Sequence, residues 1–125
     1  MRIWRCFITP EDKNLGCVWD MHEAACQIRD FSQGKSFEVY QQNRMLRLAV
    51  ERLLEIMGQA AREVSQDFIK RHSDVPWAKI VRLRNLLAHE YGEVKHEKTY
   101  LIASRDIFPL IDRLQRILQE KNVLK

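Results

Sequence analysis

No apolar run in this chain approaches the roughly 20 residues that a bilayer-spanning helix needs, so no membrane segment is expected. The first stretch, MRIWRCFITPEDKN, also lacks the continuous apolar core and small-residue cleavage site of a secretory signal. A cytoplasmic location is therefore expected. Cysteine is scarce: Cys6, Cys17 and Cys26 are odd in number and form no disulfide framework. A chain of 125 residues can bury about two thirds of its unfolded surface without cross-links, so the three are read as reduced thiols. With only four glycines and three prolines, fibrous and low-complexity classes are also excluded.

What is present, 46% hydrophobic and 30% charged residues, is the mixture of a helical globular domain. The formal charge of +4 is mild but unevenly spread. Lys70, Arg71, Lys79, Arg82 and Arg84 face only Asp74 between positions 70 and 84, which suits a polyanionic partner. Ordinary solvated cations at helix ends would look the same.

Hydrophobic spacing predicts four helices in an all-α antiparallel bundle, with no strand-like alternation and no internal repeat. Thr9 as N-cap and Pro10 at the first helical position open the first helix, which Gly34 ends. From Ser36 to about His72 the pattern predicts a short initial turn and then one long helix from near Asn43. In it, Gly58 would permit close approach of a neighbour. The third helix should run from Pro76 to about Tyr91, with Gly92 as its stop. The fourth should span about 97–121, kinked near 107–109 because Pro109 lacks an amide. Residues 1–8 read as an N-terminal extension, 9–121 as one helical domain and 122–125 as a tail.

The third helix is not an ordinary core helix. At about 100° per residue, Trp77, Ile80, Val81, Leu83, Leu86, Leu87 and Ala88 share a broad apolar arc with Arg84 in its middle. A guanidinium there costs several kcal/mol unless it is paired or opens onto a cleft. Pairing with Glu55 or Glu63 of the long helix would satisfy it. Asn85 and His89, spaced i to i+4, fall on the other side with Arg82. Arg84 and His89 stand about 140° apart on a regular helix, so they share a site only if the helix end distorts or a second chain contributes.

The string VPWAKIVRLRNLLAHEY, residues 75–91, resembles the HepT-like branch of the HEPN superfamily. Its signature is Arg, a polar residue, three more positions, His, any residue and Tyr, here Arg84, Asn85, His89 and Tyr91. The preceding Pro76-Trp77 and the step Gly58-Gln59-Ala60-Ala61 fit the same branch, although Gln59 stands where the step usually carries Glu. The likeness covers roughly residues 11–118; Trp4 and Phe7 lie in the extension outside it.

The resemblance implies a homodimeric ribonuclease toxin, encoded beside a nucleotidyltransferase antitoxin, that cuts RNA with no cofactor or metal at a cleft shared by two motif copies. It implies His89 as acid or base, Arg84 as the phosphate grip and Asn85 as the orienting group. Lys79 and Arg82 would help bind RNA. Side-chain chemistry permits this, since histidine titrates near neutrality and guanidinium binds phosphate bidentately. Tyr91, which on pattern alone would continue the Ile80, Arg84, Leu87 stripe and pack, becomes through the resemblance the acceptor of AMP from the antitoxin.

Other candidates are weaker. His22 and Cys26 stand one turn apart and resemble half a zinc site, but no second pair follows. His72 and His96 fall near helix ends and read as solvated or capping. Trp4, Trp19 and Trp77 could stack on bases, but aromatics on amphipathic helices are more often core. Two rival readings are a non-catalytic helical partner of a nucleotidyltransferase and a plain dimeric adaptor; the second leaves Arg84 without a reason.

Overall fold

The computed structural model describes residues 9–123. The thiol Cys6, the aromatics Trp4 and Phe7 and the rest of the extension 1–8 therefore lie outside the described residues. Helix α1, Pro10–Ser32, starts as expected, with the Asp12 amide donating to Thr9 Oγ1 at 3.1 Å. Gly34, at φ 75°, turns the chain after it. A short helix, α2 (Phe37–Gln42), is capped by Ser36 and followed by α3 (Arg44–Arg62), whose N-cap is Asn43. Both match the periodicity.

The long helix then ends at Arg62 rather than His72. Ser65 starts a separate helix, α4 (Gln66–Arg71), by accepting the Phe68 amide at 3.3 Å. The buried side chain of Asn14 holds the break open, taking the Ser65 amide on Oδ1 and donating to Ser65 Oγ, each at 3.0 Å. Val64 and Phe68 are buried on either side of the turn, so the redirected chain still faces the core.

The third predicted helix is also two pieces, α5 (Trp77–Val81) and α6 (Leu83–His89), with Arg82 at the joint. Gly92 is not its stop. It opens α7 (Gly92–Leu101) at φ 56°, a left-handed conformation that glycine adopts without strain. The last helical run therefore begins about five residues before the sequence reading, at Gly92. It passes through a π-turn at Ile102–Asp106 into α8 (Ile107–Glu120). The expected disturbance is present, but it lies in the turn before Pro109, where a wider backbone loop accommodates the missing amide.

Four layers result: α1, α3, the α5–α6 pair and the α7–α8 run. Val18, Met21 and Ile28 of α1 meet Val50, Leu54 and Met57 of α3, while Ile107, Leu114 and Leu118 come from α8; all are essentially inaccessible. Full burial of each such side chain contributes roughly 1.5–3 kcal/mol. Trp77 is core, its indole N–H donating to the His72 carbonyl at 2.9 Å. His72 is the C-cap of α4 and lies against Phe68, the rings tilted by 43° with centroids 4.4 Å apart. α7 is pinned by polar contacts: Tyr40 Oη to Thr99 Oγ1 at 2.7 Å, Lys95 to Glu51 at 2.9 Å and Arg47 to His96 at 2.9 Å. Among the described residues no helix is long and apolar enough to cross a membrane.

Candidate nuclease site on the third layer

Gly58 sets the spacing between α3 and the third layer. A Cβ built there would lie 3.1 Å from the Ile80 carbonyl oxygen, 3.7 Å from Arg84 Cγ and 3.9 Å from Leu83 Cβ. Ala60 and Ala61 beside it are buried. The small-residue step thus lets the joint between α5 and α6 press against α3, which brings Arg84 over it.

Arg84 is exposed, and its Nη1 donates to Gln59 Oε1 at 3.4 Å. The expected pairing with Glu55 is not formed; that carboxylate takes Arg52 instead. Desolvation is avoided because Arg84 lines open space. A cleft of about 640 Å³ is bounded by Glu55 and Arg62 of α3, by Arg82 at the joint, and by Arg84, Asn85 and Leu87 of α6. A smaller one, about 200 Å³, carries Gln59, Asp20, Glu55 and Glu63 around the other flank of the guanidinium.

The larger cleft gathers Arg82, Arg84 and Asn85. Neither His89 nor Tyr91 lines it. His89 is the exposed last residue of α6, and Tyr91 stands beyond it in extended backbone, 79% accessible. The phenol does not pack along a continued stripe, because the helix stops before reaching it. Lys79 is exposed on α5 but lines a different cleft.

Arg62, and the contact of Gln59 with Arg84, are not among the site features expected from the sequence. Their signal was present: Glu55, Gln59 and Arg62 recur at four and three along α3, one face that meets the motif helix.

Of the other candidates, Cys26 Sγ lies 3.7 Å from His22 Nε2, and no group of three His, Cys, Asp or Glu able to hold a metal occurs among the described residues. Burial, with Arg29 adding to it, holds the His22 imidazole below its ordinary pKa, and burial pushes the Cys26 thiol up. Trp19, on α1, is 40% accessible.

Known proteins are similar in sequence to this chain. A family model described as "Ribonuclease HepT-like" matches residues 21–117. A Methanocaldococcus jannaschii protein named "Putative RNase MJ1380" is 33% identical over 90 residues, 72% of this chain and 83% of its own. "Probable ribonuclease HepT" of Thermococcus cleftensis is 30% identical over 98 residues, 78% of this chain and 89% of its own. No solved structure matches. With a family match across the α1 to α8 bundle and over the cleft built on Arg82, Arg84 and Asn85, the chain belongs to the HepT-like ribonuclease family.

Proposed function

We propose that this chain is the ribonuclease toxin of a two-gene toxin-antitoxin pair, cutting RNA without a metal ion at a site that two copies form together. The observation that carries the reading is the state of α6. It holds Leu83, Leu86 and Leu87 as well as Arg84, Asn85 and His89 of the motif, yet none of its seven residues is buried. Its arginine meets a neutral amide over an open cleft. A second copy laid symmetrically on this helix would cover Leu86, which does not pack on the core as Leu83 and Leu87 do, and bring two motif copies to one groove.

In that groove an imidazole of His89 accepts the proton of a ribose 2′-hydroxyl, and the 2′-oxygen attacks the adjacent phosphorus. The bond from phosphorus to the 5′-oxygen breaks, and the departing oxygen takes a proton from an imidazolium supplied by the motif pair. Arg84 holds the non-bridging oxygens as negative charge builds on them, and Asn85 orients the phosphate or the ring. The products carry 2′,3′-cyclic phosphate and 5′-hydroxyl ends. Lys79 and Arg82 add to RNA affinity. A nucleotidyltransferase antitoxin silences the site by AMP transfer to Tyr91.

The deciding experiment incubates the purified chain with RNA in EDTA, beside Arg84→Ala and His89→Ala. Cleavage by the parent chain alone, with cyclic-phosphate ends, is expected. Activity that EDTA abolishes and zinc or magnesium restores would overturn the metal-free mechanism. No cleavage, with retained binding to the adjacent transferase, would favour a non-catalytic partner subunit.

A further inference from the structure

The joint between α5 and α6 is a ridge with a cleft on each side. The one away from the motif, about 450 Å³, lies between α3, α5 and the run from the π-turn into α8. Ile80, Leu83 and Leu110 contribute apolar surface to it, and three cations, Lys79, Arg105 and Arg113, stand there against one acid, Asp106. That acid is already taken by its neighbour, Arg105 Nε to Asp106 Oδ1 at 2.8 Å. Lys79 and Arg113 have no ion pair among the described residues.

Arg113 is half-buried. A guanidinium drawn partly out of water without a carboxylate is a site prepared for an anion. The apolar surface beside it excludes a bare inorganic ion as the best fit; the cleft suits an anion that also carries a flat, weakly polar body. Its volume falls within the roughly 300–1,000 Å³ of sites that take nucleotide-sized ligands.

Position decides which anion. Arg82 faces the motif cleft, while Lys79 and Leu83, three residues before it and one after, face the second. A strand crossing the ridge would meet Arg62, Arg82 and Arg84 on one side and Lys79, Arg105 and Arg113 on the other. Alternating phosphates and bases match alternating cations and apolar surface. That is how single-stranded nucleic acid is held without base selectivity.

We infer that the second cleft is an auxiliary RNA site, holding a nucleotide of the strand remote from the bond that is cut: Lys79 and Arg113 take the phosphate, and the apolar surface takes the base or ribose. The inference rests on RNA being the substrate, as proposed above, but not on catalysis.

The test measures binding of fluorescent 2′-O-methyl oligoribonucleotides, whose blocked 2′-oxygen cannot attack, so failure of the cleavage proposal leaves the readout intact. Tetramer and dodecamer are compared for the full parent chain, Lys79→Gln, Arg113→Gln and Asp106→Asn. The first two substitutions should each weaken the dodecamer on the order of tenfold at low salt. Each should also reduce the slope of log affinity against log salt by about 0.7, one phosphate contact on a single strand. The tetramer, which the motif cleft alone can hold, should change far less, and Asp106→Asn should tighten the dodecamer. If Arg113→Gln proves unstable to heat, Lys79→Gln reads the site alone, since that side chain is exposed. Unchanged dodecamer affinity and salt slope in Lys79→Gln would overturn the inference. So would a parent chain that binds no RNA, or whose second cleft binds free AMP but adds nothing to dodecamer affinity.

Discussion

Arg84 of the motif helix donates to Gln59 of α3 at 3.4 Å, a long hydrogen bond to a neutral amide. The guanidinium is therefore positioned without being neutralised, and its charge stays available for phosphate. A carboxylate at position 59 would turn this contact into a charge-assisted pair that substrate must displace. Gln59→Glu should accordingly raise KM for RNA and lower kcat/KM by about tenfold, equivalent to roughly 1.4 kcal/mol. Steady-state cleavage kinetics check this; an unchanged kcat/KM would show that Gln59 does not govern Arg84.

Gly58 offers a second handle on the same arginine. Alanine there gains about 1 kcal/mol of helix propensity, but its methyl would sit 3.1 Å from the Ile80 carbonyl, and backbone cannot swing aside as a side-chain tip can. The overpacking cost of about 1–3 kcal/mol should win. Gly58→Ala is expected to melt at lower temperature and, because the α5–α6 joint must move outward, to cleave RNA more slowly. A raised Tm with full activity would mean the third layer is less tightly seated than the geometry indicates.

The two breaks within predicted helices differ in how legible they were. Ser65 followed by Asp67 is a start signal for α4 that the continuous apolar pattern masked. What makes it effective is Asn14, 51 positions away, and pairings at that distance leave no local trace. The break at Arg82 has no local signal; it lies where the chain packs closely on Gly58, a tertiary contact. Pro109 announced a disturbance correctly, but periodicity could not say that a π-turn one turn earlier would absorb it.

The site was legible unevenly for the same reason. Arg84, Asn85, His89 and Tyr91 stand out by residue type and spacing, and all four are exposed. Lys79 and Arg82 are grouped in the sequence only as RNA-binding cations of one basic segment, whereas the broken helix puts them in separate clefts. Gln59 was noticed only as a departure from the family step, and its contact with Arg84 is a product of the fold.

Acid should destabilise the fold through His96. Its Nε2 lies 2.9 Å from Arg47 Nη1 and so acts as the acceptor of that bond, with an unprotonated ring. Burial first and then Arg47 hold its pKa below the ordinary value; Glu51 opposes them, with smaller contributions from Lys95 downward and Glu93 upward. The folded pKa is lowered, so the unfolded chain takes the proton first. Stability is then complete above the unfolded value near 6.5 and is lost as pH falls through it towards the folded value. His22, lowered by burial and Arg29, acts in the same direction. Thermal melts between about pH 8 and pH 5 should show a falling Tm, and His96→Gln should flatten the slope. An equally steep slope in that variant would assign the effect elsewhere.

Self-association through α6 has a direct test in Leu86, which is half-buried in the protomer. Leu86→Asp places a charge on the face that a second copy would cover. Light scattering at micromolar concentration should report a dimer for the parent chain and a monomer for the variant, with unchanged helical circular dichroism. A parent monomer would count against a shared cleft, and a dimeric variant would move the interface off α6.

Control should act through Tyr91. Its side chain is 79% accessible, its backbone is extended, and the left-handed Gly92 that follows turns the chain away into α7. The phenol is thus presented two residues beyond His89 on a short connection, where an enzyme could reach it without unfolding a helix. Attaching AMP there replaces a neutral hydroxyl by a phosphodiester anion and adds a bulky base beside the motif. The added charge competes for the arginine grip and repels RNA phosphate over a range of about 8–10 Å at physiological salt. Co-expression with the neighbouring nucleotidyltransferase should therefore add one or more AMP units to Tyr91 and abolish cleavage. Tyr91→Phe should still cut RNA yet resist neutralisation, since the ring is kept and only the acceptor oxygen is lost. Intact-mass and peptide mass spectrometry of the co-expressed pair decide the matter: an unmodified Tyr91 in a fully silenced complex would establish inhibition by binding alone.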